Sequence, residues 1–349
     1  MGSTAKVNNV TSPTSPTGKV TLIGLGTRGT ALGLALAKPE LNLRVVGCDR
    51  DAGAAKRALA SGAIHLIERN SGRACEGSDL VVLAVPFLEV RSVLEGIAAA
   101  LKVDAVVVET APLKTSTFEW AAQAMPRDRH LVGAYLIVSS PTPEPPTPLF
   151  ERALMIIVAP RGSDSTALEF TARLAPALGA TTFFVDADEF DGLMAGTRHL
   201  PLLLSLACYR AVTEAPGWRD GRRVADDTFA EATSLLTSLD APHAAAELAA
   251  NRENLARRLG LAIEQLEELR HILAGDETQA ADKLETLLRE AMQGRRRWMQ
   301  ARSDPSHDHA DQGPEMPSLR DSFARMFGLG KDQRDIIRAA KDASTAKKP

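Results

Sequence analysis

GKVTLIGLGTRGTALGLALAKPELNLRVVGCDR, residues 18–50, decides the fold. Lys19 to Ile23 is a short apolar run rich in β-branched residues, the composition of a parallel strand buried on both faces. Gly24, Gly26 and Gly29 follow in the spacing G-x-G-x-x-G, and an alanine- and leucine-rich helix begins at once. A second apolar run, Leu43 to Cys48, ends in Asp49, about twenty residues beyond the last glycine. Each piece has a task in a dinucleotide site. Gly24 admits a tight turn, Gly26 lets backbone approach a pyrophosphate, and Gly29 lets helix and strand pack closely. The helix start aims free N–H groups and a positive dipole end at phosphates, with Leu25, Thr27 and Arg28 in the same cofactor-binding loop. Asp49 is placed to accept hydrogen bonds from an adenosine ribose. A carboxylate there repels a 2′-phosphate, so NAD is the expected cofactor; Arg50 beside it offsets part of that repulsion and leaves NADP open. The competing reading is a βαβ unit whose glycines serve packing alone.

Beyond this unit, strand and helix keep alternating. A helix is predicted over 51–62, a short strand at Ile64–Ile67 and a clear parallel strand over Asp79-Leu-Val-Val-Leu-Ala-Val, followed by Pro86. Next come a helix over 88–101 and a strand from Ala105 to Glu109. Loops at the carboxyl ends of strands line the crevice of an open α/β sheet, so Val85, Pro86 and Thr110 are expected beside the cofactor. Lys114 either lines the crevice or is a solvated lysine on the following helix. His130–Tyr135 is a further strand, leading into the proline-laden PTPEPPTP at 141–148, which suits neither sheet nor helix. Ser140 at its mouth offers a hydroxyl to a substrate or is a turn serine. Leu154–Val158 and Thr182–Val185 complete a doubly wound parallel sheet, with one helix, Asp164–Leu178, between them. From Asp186 to about Gln300 the periodicity turns helical. The predicted organisation is a disordered start (1–17), an α/β dinucleotide domain of Rossmann type (18–185), an all-α domain (186–300) and a mostly disordered tail (301–349). The wide apolar faces of the helical part imply a homodimer built on it. In the tail, Leu319–Phe327 is a candidate short helix, and His307 and His309 are either a metal pair or part of a solvated tract.

A net charge of -3 over 349 residues offers no field for nucleic acid or an anionic membrane. No apolar run reaches the roughly 18 residues a bilayer span needs, and the first residues lack a signal peptide's apolar core. Cys48, Cys75 and Cys208 are too few and scattered for a disulfide framework or a zinc site. The expectation is a cytoplasmic enzyme with a small-molecule substrate.

Several stretches are similar to one family. GLGTRGTALGLALA with VVGCDR, SDLVVLAVP, LVGAY, LFERALMIIVAP, VDADEFDGLMAGTRHLP and the NRENL helix together resemble the prephenate dehydrogenases and the related arogenate dehydrogenases, over residues 18–300. The run from Asp186 to Pro201 is the most specific of these. The resemblance implies oxidation of prephenate with NAD or NADP: a hydride leaves the carbon bearing the ring hydroxyl, carbon dioxide is lost, and an aromatic pyruvate results. That reaction belongs to tyrosine biosynthesis.

This chain departs from the family at the residues that do that chemistry. Tyr135 occupies the position of the histidine in V-G-G-H-P-M, which serves the family as base, and a phenol near its reference pKa of about 10 is a poor base at neutral pH. Phe229-Ala-Glu-Ala-Thr-Ser234 corresponds to FRDxTR, with Ser234 where a carboxylate-binding arginine is expected. His199 matches the first histidine of S-H-L-P-H, while Leu202 replaces the second. With an ordinary pKa of about 6.5, His199 is the preferred proton acceptor over Tyr135; otherwise it is a histidine satisfied within the helical core. Arg198 replaces the serine and either clamps a substrate carboxylate or pairs with Glu214 or Asp191. The departures keep a second function open, a nucleotide-binding regulatory protein without turnover.

Overall fold

The structure is a computed structural model, and it describes residues 16–138, 149–160 and 162–303. Among these, eight strands form one sheet: β1 (Gly18–Ile23), β2 (Leu43–Cys48), β3 (Leu66–Ile67), β4 (Leu80–Leu83), β5 (Val106–Glu109), β6 (His130–Ile137), β7 (Leu154–Val158) and β8 (Thr181–Val185). Their order is β3-β2-β1-β4-β5-β6-β7-β8. Alternation along the strands builds two cores. Leu80 and Val82 join Val20, Leu22, Val106 and Val108 on one face, while Val81 and Leu83 join Ile23, Val46 and Val107 on the other. Strands buried on both sides read as unbroken apolar runs, which is why they were legible.

One step of the sheet corrects the all-parallel expectation: β6 and β7 are antiparallel, with Tyr135 opposite Ile156. A parallel return needs a long crossover, usually a helix. The sequence joining these strands carries Pro141, Pro143, Pro145, Pro146 and Pro148, which disfavour one.

The helices α1 (Thr27–Leu36), α2 (Ala52–Ala60), α3 (Ser71–Cys75), α4 (Phe87–Ile97) and α5 (Thr115–Ala124) cover the sheet. The single helix predicted over 164–178 is two, α6 (Ser165–Ala172) and α7 (Leu174–Leu178). Pro176 lacks the N–H that would bond the Ala172 carbonyl, so the helix cannot run through.

After Val185 the described chain is helical: α8 (Ala187–Met194), α9 (Leu200–Thr213), α10 (Trp218–Val224), α11 (Asp227–Ala232), α12 (Ala241–Ala250), α13 (Arg252–Leu273) and α14 (Glu277–Ser303). Between α8 and α9 the chain widens into a π turn over Ala195–His199. Pro201, just inside α9, has no N–H for the Thr197 carbonyl, and the wider turn accommodates that loss. Phe190 and Met194 of α8 pack on Tyr135, Ile156 and Val158, which docks the helical half on the sheet.

Candidate dinucleotide and substrate site

A cleft of about 700 Å³ opens at the carboxyl ends of β1, β2, β4 and β5, where the strand order reverses. Open α/β sheets bind their ligands there. Gly24, Gly26, Thr27, Arg28, Gly29, Asp49, Arg50, Val85, Pro86 and Thr110 all line the cleft.

The glycines divide by what each would meet. Gly24 has φ +92, and a Cβ there would stand 2.5 Å from the Ala84 carbonyl oxygen. A Cβ at Gly29 would collide with the Gly24 carbonyl oxygen. Both positions are reserved by the fold. Gly26 has φ -67, open to any residue, and a Cβ there would meet nothing within 4 Å. It is the N-cap of α1 and supplies no side-chain cap, so the first N–H groups of that helix face the cleft. Space beside an uncapped helix start fits the pyrophosphate of a dinucleotide.

Leu25 is a correction to the cofactor-binding set. Its side chain is in the core, and its N–H donates to Asp49 Oδ2 at 2.6 Å, so it has nothing to offer a ligand. Asp49 also accepts from the Asp51 N–H at 2.7 Å, tying the glycine loop to the end of β2 while its charge stays at the cleft. Arg50 is held by Glu89 of α4 at 2.7 Å.

Tyr135 also lines the cleft, with its ring edge-on to Phe190 and the centroids 5.7 Å apart. The guanidinium of Arg28 lies 5.5 Å from the Tyr135 ring centre, so the glycine loop reaches the candidate base through a cation–π contact. Arg198, on the π turn, lines the same cleft. Its partner is Glu247 of α12 at 3.4 Å, not Glu214 or Asp191. Glu214 pairs with Arg210 on α9, and Asp191 accepts the Lys114 and Thr115 N–H groups to cap α5.

His199 is not among the residues lining the cleft. It is 1% exposed, with Nδ1 3.3 Å from the Asn251 amide nitrogen and Nε2 without a hydrogen-bond partner. Burial, and then the Arg198 charge, push its pKa down to about 4. The premise of a histidine titrating near 6.5 is therefore corrected: at neutral pH this imidazole is uncharged and a weak base. Nor is it satisfied in the core, given the unmet Nε2 3.9 Å from Glu247 Oε2.

Lys114 fits neither expectation. It is fully buried and donates to Glu109 Oε1 at 2.7 Å, to the Ala111 carbonyl at 2.7 Å and to the Ala134 carbonyl at 3.1 Å. Burial pushes Glu109 up and Lys114 down, and the pair offsets this by mutual attraction. Lys114 thus braces the loop below Thr110 and the strand position next to Tyr135 without reaching the cleft.

Ser140, His307, His309 and Leu319–Phe327 lie outside the described residues. Ser234 is exposed, donating to the Glu231 carbonyl at 2.8 Å, and is not a cleft residue. Among the described residues no cluster could hold a metal ion, and no helix is long and apolar enough to cross a membrane. Glu89, Arg69, Ser71 and Glu247, all in the cleft, were not anticipated. They belong to no motif, and Glu247 sits in an alanine-rich helix that reads as packing.

Residues 32–183 match the family model for the nucleotide-binding domain of prephenate dehydrogenase. The prephenate dehydrogenase of A. aeolicus, solved with hydroxyphenyl propionate and NAD+, superposes with a TM-score of 0.71 at 17% identity, over 80% of this chain and 98% of that one. Synechocystis arogenate dehydrogenase gives 0.67 at 18%, over 80% and 99%. At such identities the structures establish a shared fold. No curated protein matches the sequence.

Proposed function

With a nucleotide-binding domain of the prephenate dehydrogenase family as premise, we propose that this chain is an NAD-dependent oxidoreductase acting on prephenate or a related carboxylated substrate. One observation carries the reading. A single cleft joins the open space at Gly26 to Tyr135 and Arg198, the second of these from the helical half. NAD, when bound, supplies the hydride acceptor. The N–H groups at the start of α1 hold its pyrophosphate, and Asp49 its adenosine ribose. Arg198 clamps a substrate carboxylate, exchanging Glu247 for it. Tyr135, in the position of the family's base, lines the cleft where its hydroxyl can hydrogen-bond the ring hydroxyl of the substrate, while His199 is buried outside the cleft lining. Aromatisation drives the reaction, so orientation is most of what the residues provide.

On this proposal the chain is a cytoplasmic enzyme of tyrosine biosynthesis, and the exposed apolar residues of its helical half favour a homodimer. A second reading is a nucleotide-binding regulatory protein, favoured by the loss of the family's base at Tyr135 and the low basicity of His199.

The test is reduced-cofactor absorbance with the full chain, NAD or NADP, and prephenate or arogenate. Turnover that Arg198→Ala impairs mainly through KM supports the dehydrogenase. Turnover that appears only on Tyr135→His says the scaffold orients the substrate but has lost its base. If neither protein turns over while NAD binds, the regulatory reading takes its place.

A further inference from the structure

We propose that Glu89 sets the choice between NAD and NADP by occupying Arg50. This rests on the nucleotide reading of the cleft and goes beyond the ribose acid Asp49. Around Asp49 the cleft is lined by a second carboxylate, Glu89, by two arginines, Arg50 and Arg69, and by Ser71. Two guanidiniums and a hydroxyl are the chemistry that receives a phosphate monoester such as the 2′-phosphate of NADP. Glu89 disarms that set. Its Oε1 accepts from an Arg50 terminal nitrogen at 2.7 Å, a charge-assisted hydrogen bond that takes both the charge and a donor from any incoming phosphate.

Glu89 is well held for the purpose. It lies in the first turn of α4, where the helix start favours a carboxylate. Its side chain is 23% exposed against 77% for Arg50, so the carboxylate is the anchored partner and the guanidinium the one that water and ligands can reach. From the helical half, His243 Nε2 approaches Glu89 Oε1 at 3.9 Å while His243 Nδ1 is fixed 2.7 Å from Asp240. The lip of the adenosine pocket is therefore built from both halves of the chain. Without Glu89, Arg50 would be free to turn towards the same phosphate as Arg69 and Ser71.

Calorimetry of the full chain with NAD and NADP tests this in wild type, Glu89→Gln, Arg50→Gln and the double variant. Wild type is expected to favour NAD. Glu89→Gln should raise the NADP-to-NAD affinity ratio by about tenfold, the worth of one released charge near the surface. The double variant should return to the wild-type ratio, since the gain acts through Arg50. An unchanged ratio in Glu89→Gln, or a gain that survives removal of Arg50, overturns the proposal. Wild type that binds neither nucleotide overturns the nucleotide reading itself and this inference with it. Glu89→Gln keeps the side chain's shape, and an unchanged melting temperature confirms that binding alone is being read.

Discussion

At Gly24 a Cβ would sit 2.5 Å from the Ala84 carbonyl oxygen, whereas at Gly26 it would meet nothing within 4 Å. Of the two glycines, only Gly24 is required by the fold. Gly26→Val is therefore expected to melt within a few degrees of wild type. The same variant should weaken NAD binding by about a hundredfold or more in calorimetry, because the side chain fills the pyrophosphate's approach. Gly24→Val, in contrast, should impair folding. His199 supplies a second prediction. Its pKa is about 4 in the folded chain against an ordinary 6.5, so below pH 6.5 the unfolded chain binds the proton first. This stabilisation is full above about pH 6.5 and is lost as pH falls towards about 4, up to about 3 kcal/mol. Urea unfolding across that window should show stability rising with pH, and His199→Gln should flatten that part of the slope. An identical slope in the variant would mean that His199 keeps its proton in the folded chain.

Among the elements, the turn from β5 into α5 is held by charge rather than apolar packing alone. Lys114 and Glu109 are both fully buried, and Asp191 of α8 caps the helix that Lys114 precedes. Gly133 of β6 completes the arrangement, since a Cβ there would stand 2.8 Å from Lys114 Cδ. Removing one partner strands a buried charge, so Lys114→Met should cost about 3–5 kcal/mol in urea unfolding. Adding Glu109→Leu should recover most of it, because a buried ion pair contributes little net stability over an apolar pair. A double variant as unstable as the single would show that the pair contributes net stability.

For the molecule as a whole, the helical half leaves apolar surface without a partner in the described chain. Of the 22 residues of α13 only Leu255 and Ile272 are buried, while Leu266 is 56% and Leu273 66% exposed. A helix with so little covered by its own subunit gains scant tertiary support. Light scattering is expected to give twice the 37.3 kDa chain mass at micromolar concentration. Leu266→Asp with Leu273→Asp should shift it towards monomer. A wild-type monomer mass would remove the dimer.

The sequence by itself determined the strands of the α/β half, the glycine loop, the Asp49 position and the change to helix after Val185. Each of these follows from local rules: apolar runs for the strands, the central ones buried on both faces, backbone freedom at glycine, and helical periodicity. Tertiary structure alone decided that β7 turns antiparallel, that Lys114 is enclosed by Glu109 and the Ala111 and Ala134 carbonyls, and that His199 is driven neutral. It also set Glu89 against Arg50 and Glu247 against Arg198, pairs 39 and 49 residues apart in the chain. Burial and charge partners are properties of residues brought together from distant elements. No spacing within one stretch encodes them.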